Sequence, residues 1–211
     1  MANHQVAIIG AGPAGLATGR VLKLLGIPFT IFEKHSDVGG IWDRTNEGSP
    51  MYRSAHFISS KTMSGHVDFP MPDHYPDYPS NTQILSYIHS FASEYGLYDH
   101  IRFNSHIESI ELNEDGWVVY PKGEVGKSYR WLVCASGTNW FPNRPELPGE
   151  STFTGQIIHS VNYDDPETLR DKRVLVVGAG NSGVDIACDA AFASKSAHIS
   201  LRRGYHFVPK H

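Results

Sequence analysis

Two stretches of this chain repeat one pattern, and that pattern restricts the fold more than any other feature. The first is "QVAIIGAGPAGLATGRVLKLLGIPFTIFEK", residues 5–34; the second is "KRVLVVGAGNSGVDIACDAAFASKSAHISLRR", residues 172–203. Each opens on a short Val/Ile-rich run, as buried parallel strands do. Each continues with G-A-G-x-x-G, an Ala/Leu-rich helical stretch and a second apolar strand. That is one βαβ unit apiece. The sequence therefore predicts an α/β protein with two Rossmann-like dinucleotide-binding domains.

The glycines have separate tasks. Gly10 permits the tight turn after the strand, Gly12 lets the backbone approach a pyrophosphate, and Gly15 lets the helix pack closely on the sheet. The helix then offers its free N–H groups and positive dipole end to phosphate. Pro13 suits the helix start because it has no N–H to leave unpaired. Glu33 closes the second strand, eighteen residues after Gly15. A carboxylate there can accept both ribose hydroxyls of an adenosine and repels a 2′-phosphate, which suits FAD or NAD. Gly178, Gly180 and Gly183 repeat the arrangement, and Ser182 adds a hydroxyl near the phosphates. At the end of that unit stand Arg202 and Arg203, with no acid. A guanidinium can pair bidentately with a 2′-phosphate, which points to NADPH. Two such folds in one chain imply two cofactors: FAD in the first and NADPH in the second.

Between the units the texture changes. "DFPMPDHYPDYPSN", residues 68–81, holds four prolines and reads as loop. "NTQILSYIHSFASEYGL" reads as an amphipathic helix, with Ile84, Leu85, Ile88, Phe91 and Tyr95 near helical spacing and Gly96 as its stop. "IRFNSHIESIEL", "GWVVYP" and "YRWLVCASG" read as strands, the middle ones as a β-meander. "NWFPNRPELPGE" is a second proline-rich connection. The expected organisation is an FAD-binding portion over 1–150, a linker over 151–171 and the start of an NADPH-binding domain over 172–211. The second domain stops after two strands, so the pattern predicts a longer natural protein; a natural chain of only 211 residues would contradict this.

The linker carries "FTGQIIHSVNY", which matches F-x-G-x-x-x-H-x-x-x-Y through Phe153, Gly155, His159 and Tyr163. Its Ile157 and Ile158 suggest a short buried strand. With both glycine motifs in place, this fingerprint resembles that of the flavin-containing monooxygenases; Baeyer–Villiger monooxygenases carry a close variant, usually with Trp at the last position. "EKHSDVGGIW" is similar to the family's E-K-x-x-x-x-G-G-x-W, "MYRSAHFISSKTMSGHVDFPMP" to its Y-x-S-x-x-x-x-S-S-K-x-x-M and D-F-P-x-P stretches, and "CASGT" to its small-residue crossing. The resemblance covers essentially the whole chain.

The resemblance implies a cycle in which NADPH reduces FAD, dioxygen adds at flavin C4a, and the resulting hydroperoxide passes one oxygen atom to a soft nucleophile, an amine or a sulfide. It places further cofactor contacts at Ala14, Lys34, Gly39, Gly40, Ile41, Trp42, Ile107, Gly137, Thr138 and Asn181. It makes Ser59, Ser60 and His159 the catalytic candidates, with His159 a hinge and orientation residue beside NADP⁺ and not a base. Ile58 stands where the family often has Asn and offers no hydrogen bond, so a higher share of peroxide leak is expected. The alternatives are Baeyer–Villiger oxidation of ketones, a flavin-dependent NAD(P)H reductase or oxidase, and a non-catalytic nucleotide sensor. The fingerprint and the absence of C-x-x-C argue against a disulfide-type reductase.

Composition excludes other classes. The net charge is −4, with no basic footprint for nucleic acid. No apolar run approaches the roughly 20 residues a membrane span needs. "MANHQVAIIGAG" does not read as a signal peptide, which makes the cytoplasm the default. The twelve histidines show no paired ligand spacing, so no metal is expected. Cys134 and Cys188 read as core residues, and Asp185 as a solvated or capping acid. The expected partners are a small-molecule substrate and O₂; a homo-oligomer is compatible with the sequence.

Overall fold

The computed structural model describes residues 5–207. The chain packs as two compact units that do not follow linear order: Met1–Ser49 with Ile84–Trp140, and Pro50–Gln83 with Phe141–His211.

In the first unit, β1 (Val6–Ile9), α1 (Pro13–Leu24) and β2 (Phe29–Phe32) form the expected βαβ unit. β3 (Ile101–Arg102) and a later strand, Trp131–Cys134, complete a parallel sheet with β1 and β2 at its centre. Val6, Ala7 and Ile8 are buried, as a strand covered on both faces requires. α1 turns Gly15, Leu16 and Gly19 inward. A Cβ at Gly19 would stand 3.0 Å from Ile31 Cδ1 and 3.1 Å from Phe29 Cε2, so the missing side chain brings the helix down onto β2. The antiparallel meander is β4 (Ile107–Asn113), β5 (Gly116–Pro121) and β6 (Lys127–Tyr129), and the strand Trp131–Cys134 is β7. Phe32 and Ala7 of the parallel sheet share a core with Val119 and Tyr129 of the meander. The Phe32 and Tyr129 rings meet edge to face at 5.9 Å.

Two apolar runs that read as single strands are each divided. Residues 101–113 give β3 and then β4, separated by a turn in which Asn104 adopts φ 53°. Asn tolerates that left-handed conformation better than most residues. Residues 127–134 break at Arg130, whose N–H donates to Gln5 O, so the chain leaves the meander and enters the parallel sheet.

In the second unit, α2 (Lys61–Ser64) is one turn long. Helix α3 (Asn81–Glu94) begins within this unit and continues into the first. It opens with a capping box: Ser80 N–H donates to Gln83 Oε1 at 2.9 Å and Gln83 N–H donates to Ser80 Oγ at 3.3 Å. Strand β8 (Arg173–Val177), helix α4 (Asn181–Ala193) and strand β9 (Ser196–Ser200) form the second βαβ unit, with β8 and β9 parallel. Val174 and Val176 face the core that Ile186 and Ala190 of α4 share with Tyr52, Ala55, Tyr163 and Leu169. Leu175 and Val177, on the other face, are 63% and 61% exposed.

Three expectations are corrected. Ile157 and Ile158 form no strand; the segment runs irregularly between 3₁₀ turns at Glu150–Thr152 and Ser160–Asn162, and Ile158 is 45% exposed. Among the described residues no strand pairs with this segment, and an apolar dipeptide forms a strand only beside a partner. Cys134 and Cys188 are both exposed. Cys134 ends β7, an edge strand of its sheet, and Cys188 lies between the inward positions Ile186 and Ala190 of α4. Asp185 is not simply solvated but accepts a hydrogen bond from Tyr52.

Candidate functional site

The first candidate nucleotide cradle forms where β1 turns into α1. Gly10 has φ +107°, and a Cβ there would lie 2.4 Å from Ala135 O at the end of β7. A Cβ at Gly15 would lie 1.9 Å from Gly10 O, so the helix can close on the loop only if residue 15 is glycine. α1 has no side-chain cap at Gly12 and carries Pro13 in its first turn. The first amides, Ala14 and Gly15 among them, are left for a ligand. The G-G-x-W loop covers this turn: Gly39 N–H donates to Ala11 O at 3.2 Å, and a Cβ at Gly40 would come within 3.1 Å of Gly12 Cα. Gly40, Ile41 and Trp42 form a 3₁₀ turn. Asn46 Nδ2 donates to Gly40 O at 2.9 Å and Ser49 Oγ to Ile41 O at 2.6 Å; sequence reading missed both supports.

Glu33 lies at the end of β2 and is 4% exposed. Its Oε2 accepts the Ala11 N–H at 2.7 Å, and its Oε1 accepts the His35 N–H at 2.9 Å and meets His35 Nδ1 at 3.0 Å. A carboxylate has about four acceptor sites, so these three bonds leave room for about one donor from a ligand. Beside it, Lys34 Nζ stands 4.0 Å above the Trp140 ring, and the His35 and Trp140 ring centroids are 5.1 Å apart. Trp140 Nε1 donates to Ser136 O at 2.9 Å. Trp140 is an aromatic wall that no sequence motif announced. Gly137 and Thr138 lie in the turn between Ser136 and Trp140, and Ile107 opens β4 beside a register shift.

The second cradle repeats the geometry. Gly178 has φ +108°, and a Cβ at Gly183 would lie 2.4 Å from Gly178 O. A Cβ at Gly180 would meet nothing within 4 Å, which is open room for a phosphate at the start of α4. Asn181 is exposed on the first turn. Ser182 is engaged by the Tyr52 hydroxyl. Arg202 and Arg203 follow β9, both exposed, and neither forms an ion pair among the described residues. By these tests the first cradle fits FAD and the second fits a pyridine dinucleotide.

The catalytic candidates also lie in the second unit. Ser59 Oγ accepts from Ser64 Oγ at 2.6 Å, and Ser60 Oγ is 3.1 Å from Thr62 Oγ1. Lys61 Nζ donates to the carbonyls of Asp73 and Tyr75, fastening the proline-rich loop. Ile58 is 62% exposed. His159 Nδ1 accepts the Val161 N–H at 3.2 Å, which assigns its proton to Nε2. The fingerprint Tyr163 is 3% exposed and donates to Asp189 Oδ2 at 2.8 Å. Burial first, and then Asp189, pushes its hydroxyl far above the ordinary tyrosine value. Burial and Asp185 do the same to Tyr52.

Residues 3–210 match the family described as Flavin-binding monooxygenase-like. The chain belongs to that family. Flavin is the cofactor that the family's description names. The chain is 38% identical to Flavin-containing monooxygenase 3 of Homo sapiens over 214 residues, 95% of this chain and 40% of that protein. It is 34% identical to the Probable indole-3-pyruvate monooxygenase YUCCA1 of Arabidopsis thaliana, covering 98% of this chain and 49% of the relative. Among solved structures, S-allyl-L-cysteine S-oxygenase from Allium sativum superimposes with a TM-score of 0.86 at 29% identity, over 97% of this chain and 52% of that one. The chain thus spans less than half the length of these two curated relatives. No helix among the described residues is long and apolar enough to cross a membrane.

Proposed function

We propose that the protein serves an FAD- and NADPH-dependent monooxygenase that transfers one oxygen atom from O₂ to an amine or a sulfide. The observation that carries this reading is the pair of glycine cradles with opposite strand-end chemistry: a buried carboxylate at Glu33 in one, and two exposed guanidiniums at Arg202 and Arg203 in the other. The similarity to an S-oxygenase supports sulfur as an accepted atom.

In this reading the first-turn amides of α1 bind the FAD pyrophosphate, and Gly12 and Gly40 keep the approach free of side chains. The remaining acceptor capacity of Glu33 takes a ribose hydroxyl. The first-turn amides of α4 hold the pyrophosphate of NADPH, and Arg202 and Arg203 read its 2′-phosphate. The bound flavin supplies hydride acceptance and dioxygen activation. The chain binds and orients the two nucleotides; His159, with Nδ1 occupied by Val161, offers a hydrogen-bond donor at Nε2.

Oxygen uptake by the FAD-loaded protein tests the reading. NADPH should drive uptake, and an amine or a sulfide should be converted to its oxide. An FAD-loaded protein that consumes no oxygen with NADPH overturns it.

A further inference from the structure

Helix α4 is fastened by two carboxylates one turn apart, on the same face. Asp189 Oδ2 accepts two hydroxyls at once, Tyr163 Oη at 2.8 Å and Ser54 Oγ at 2.5 Å. Asp185 Oδ2 accepts Tyr52 Oη at 2.8 Å. The Tyr52 and Tyr163 rings pack together with centroids 5.6 Å apart, and both residues are nearly fully buried. The donors come from two segments far apart in sequence, 52–54 and 163, and those segments are tied to each other as well. Arg53 N–H donates to Asp164 O at 2.8 Å, and Arg53 Nη1 pairs with Asp165 Oδ2 at 2.9 Å. Every hydroxyl in the group points its proton toward α4, and hydrogen bonds to charged acceptors are about twice as strong as neutral ones.

We propose that Asp189 is a positioning residue for the pyridine nucleotide: by accepting the Tyr163 and Ser54 hydroxyls at one oxygen, it fixes the helix whose N-terminus holds the phosphates. The proposal rests on the assignment of the second cradle to NADPH. It also gives the last position of the fingerprint a physical requirement. Residue 163 must present a buried O–H to Asp189, and a side chain 3% exposed with its hydroxyl committed is not free to select a substrate.

The test is a double-mutant cycle on the FAD-loaded protein, read as the Kd for NADP⁺ by calorimetry and as KM against kcat for NADPH. Asp189→Ala and Tyr163→Phe should each weaken NADP⁺ binding about tenfold, the loss expected for one charged hydrogen bond. KM should rise in parallel while kcat stays within about twofold. Because both changes break the same bond, the double variant should be no worse than the weaker-binding single. Unchanged affinity in both single variants, or effects that multiply in the double, overturns the proposal. If those variants do not fold, Ser54→Ala, which leaves Asp189 its tyrosine, should still weaken NADP⁺ binding about threefold, within the range of one net hydrogen bond; an unchanged Kd overturns the proposal. A wild-type protein that binds FAD but not NADP⁺ overturns the assignment of the second cradle itself, whereas normal wild-type binding with indifferent variants overturns only the role of Asp189.

Discussion

Glu33 combines two duties in one buried carboxylate. It satisfies the Ala11 and His35 amides at 2.7 and 2.9 Å, and about one acceptor position stays open, which the proposed function gives to a ribose hydroxyl. Glu33→Gln sets an amide NH₂ where an acceptor is needed. It should cost about 1–3 kcal/mol of stability, the usual penalty for an orphaned buried donor. It should also lower the FAD retained on purification, and both are measurable from the same preparation by thermal unfolding and flavin absorbance. Three tyrosines, Tyr52, Tyr98 and Tyr163, give a pH signature. Burial, helped by Asp37, pushes the Tyr98 hydroxyl up to about 12, and Tyr52 and Tyr163 are pushed up more strongly by burial and their aspartates. An unfolded tyrosine loses its proton near pH 10. A raised folded value therefore stabilises the fold fully below about pH 10, and that contribution declines as pH rises from about 10 through the folded value. Denaturant unfolding from pH 8 to 12 should show this fall, and Tyr163→Phe should flatten it; the same slope in both proteins would refute the assignment.

At the scale of elements, the two βαβ units make the same demand at corresponding glycines. A Cβ at Gly183 would lie 2.4 Å from a backbone oxygen, whereas one at Gly180 would meet nothing within 4 Å. Gly183→Ala should therefore destabilise the protein by about 1–3 kcal/mol, the common cost of overpacking. Gly180→Ala should leave folding intact but lose NADP⁺ affinity, because its methyl group enters the room left for phosphate. Equal behaviour of the two variants in thermal unfolding and NADP⁺ titration would contradict this division of labour. These glycines were legible in the sequence because turn and close approach are local demands. The helix over 81–94 and the meander were legible because their apolar periodicity is local too. The break at Arg130 was not, because the competing partners are distant: the meander on one side and Gln5 on the other. Ile157 and Ile158 misled for the same reason, since β propensity is realised only beside a partner strand.

For the molecule as a whole, chain order and packing part company. Residues 50–83, which lie between elements of the first unit, pack with 141–211. No composition shift signals this, because it rests on side-chain bonds spanning more than a hundred positions, Tyr52 to Asp185 and Ser54 to Asp189. The sequence displayed the two cradles and the fingerprint. It did not display what the fingerprint tyrosine grips, nor that Trp140 would stand beside Lys34 and His35. The central claim is that one chain holds two chemically distinct nucleotides in separate cradles. Equilibrium titration of the purified protein with FAD and NADP⁺, singly and together, tests it most directly. One FAD and one NADP⁺ per chain, neither displacing the other, is the predicted result. Mutual displacement at a single shared site would contradict it.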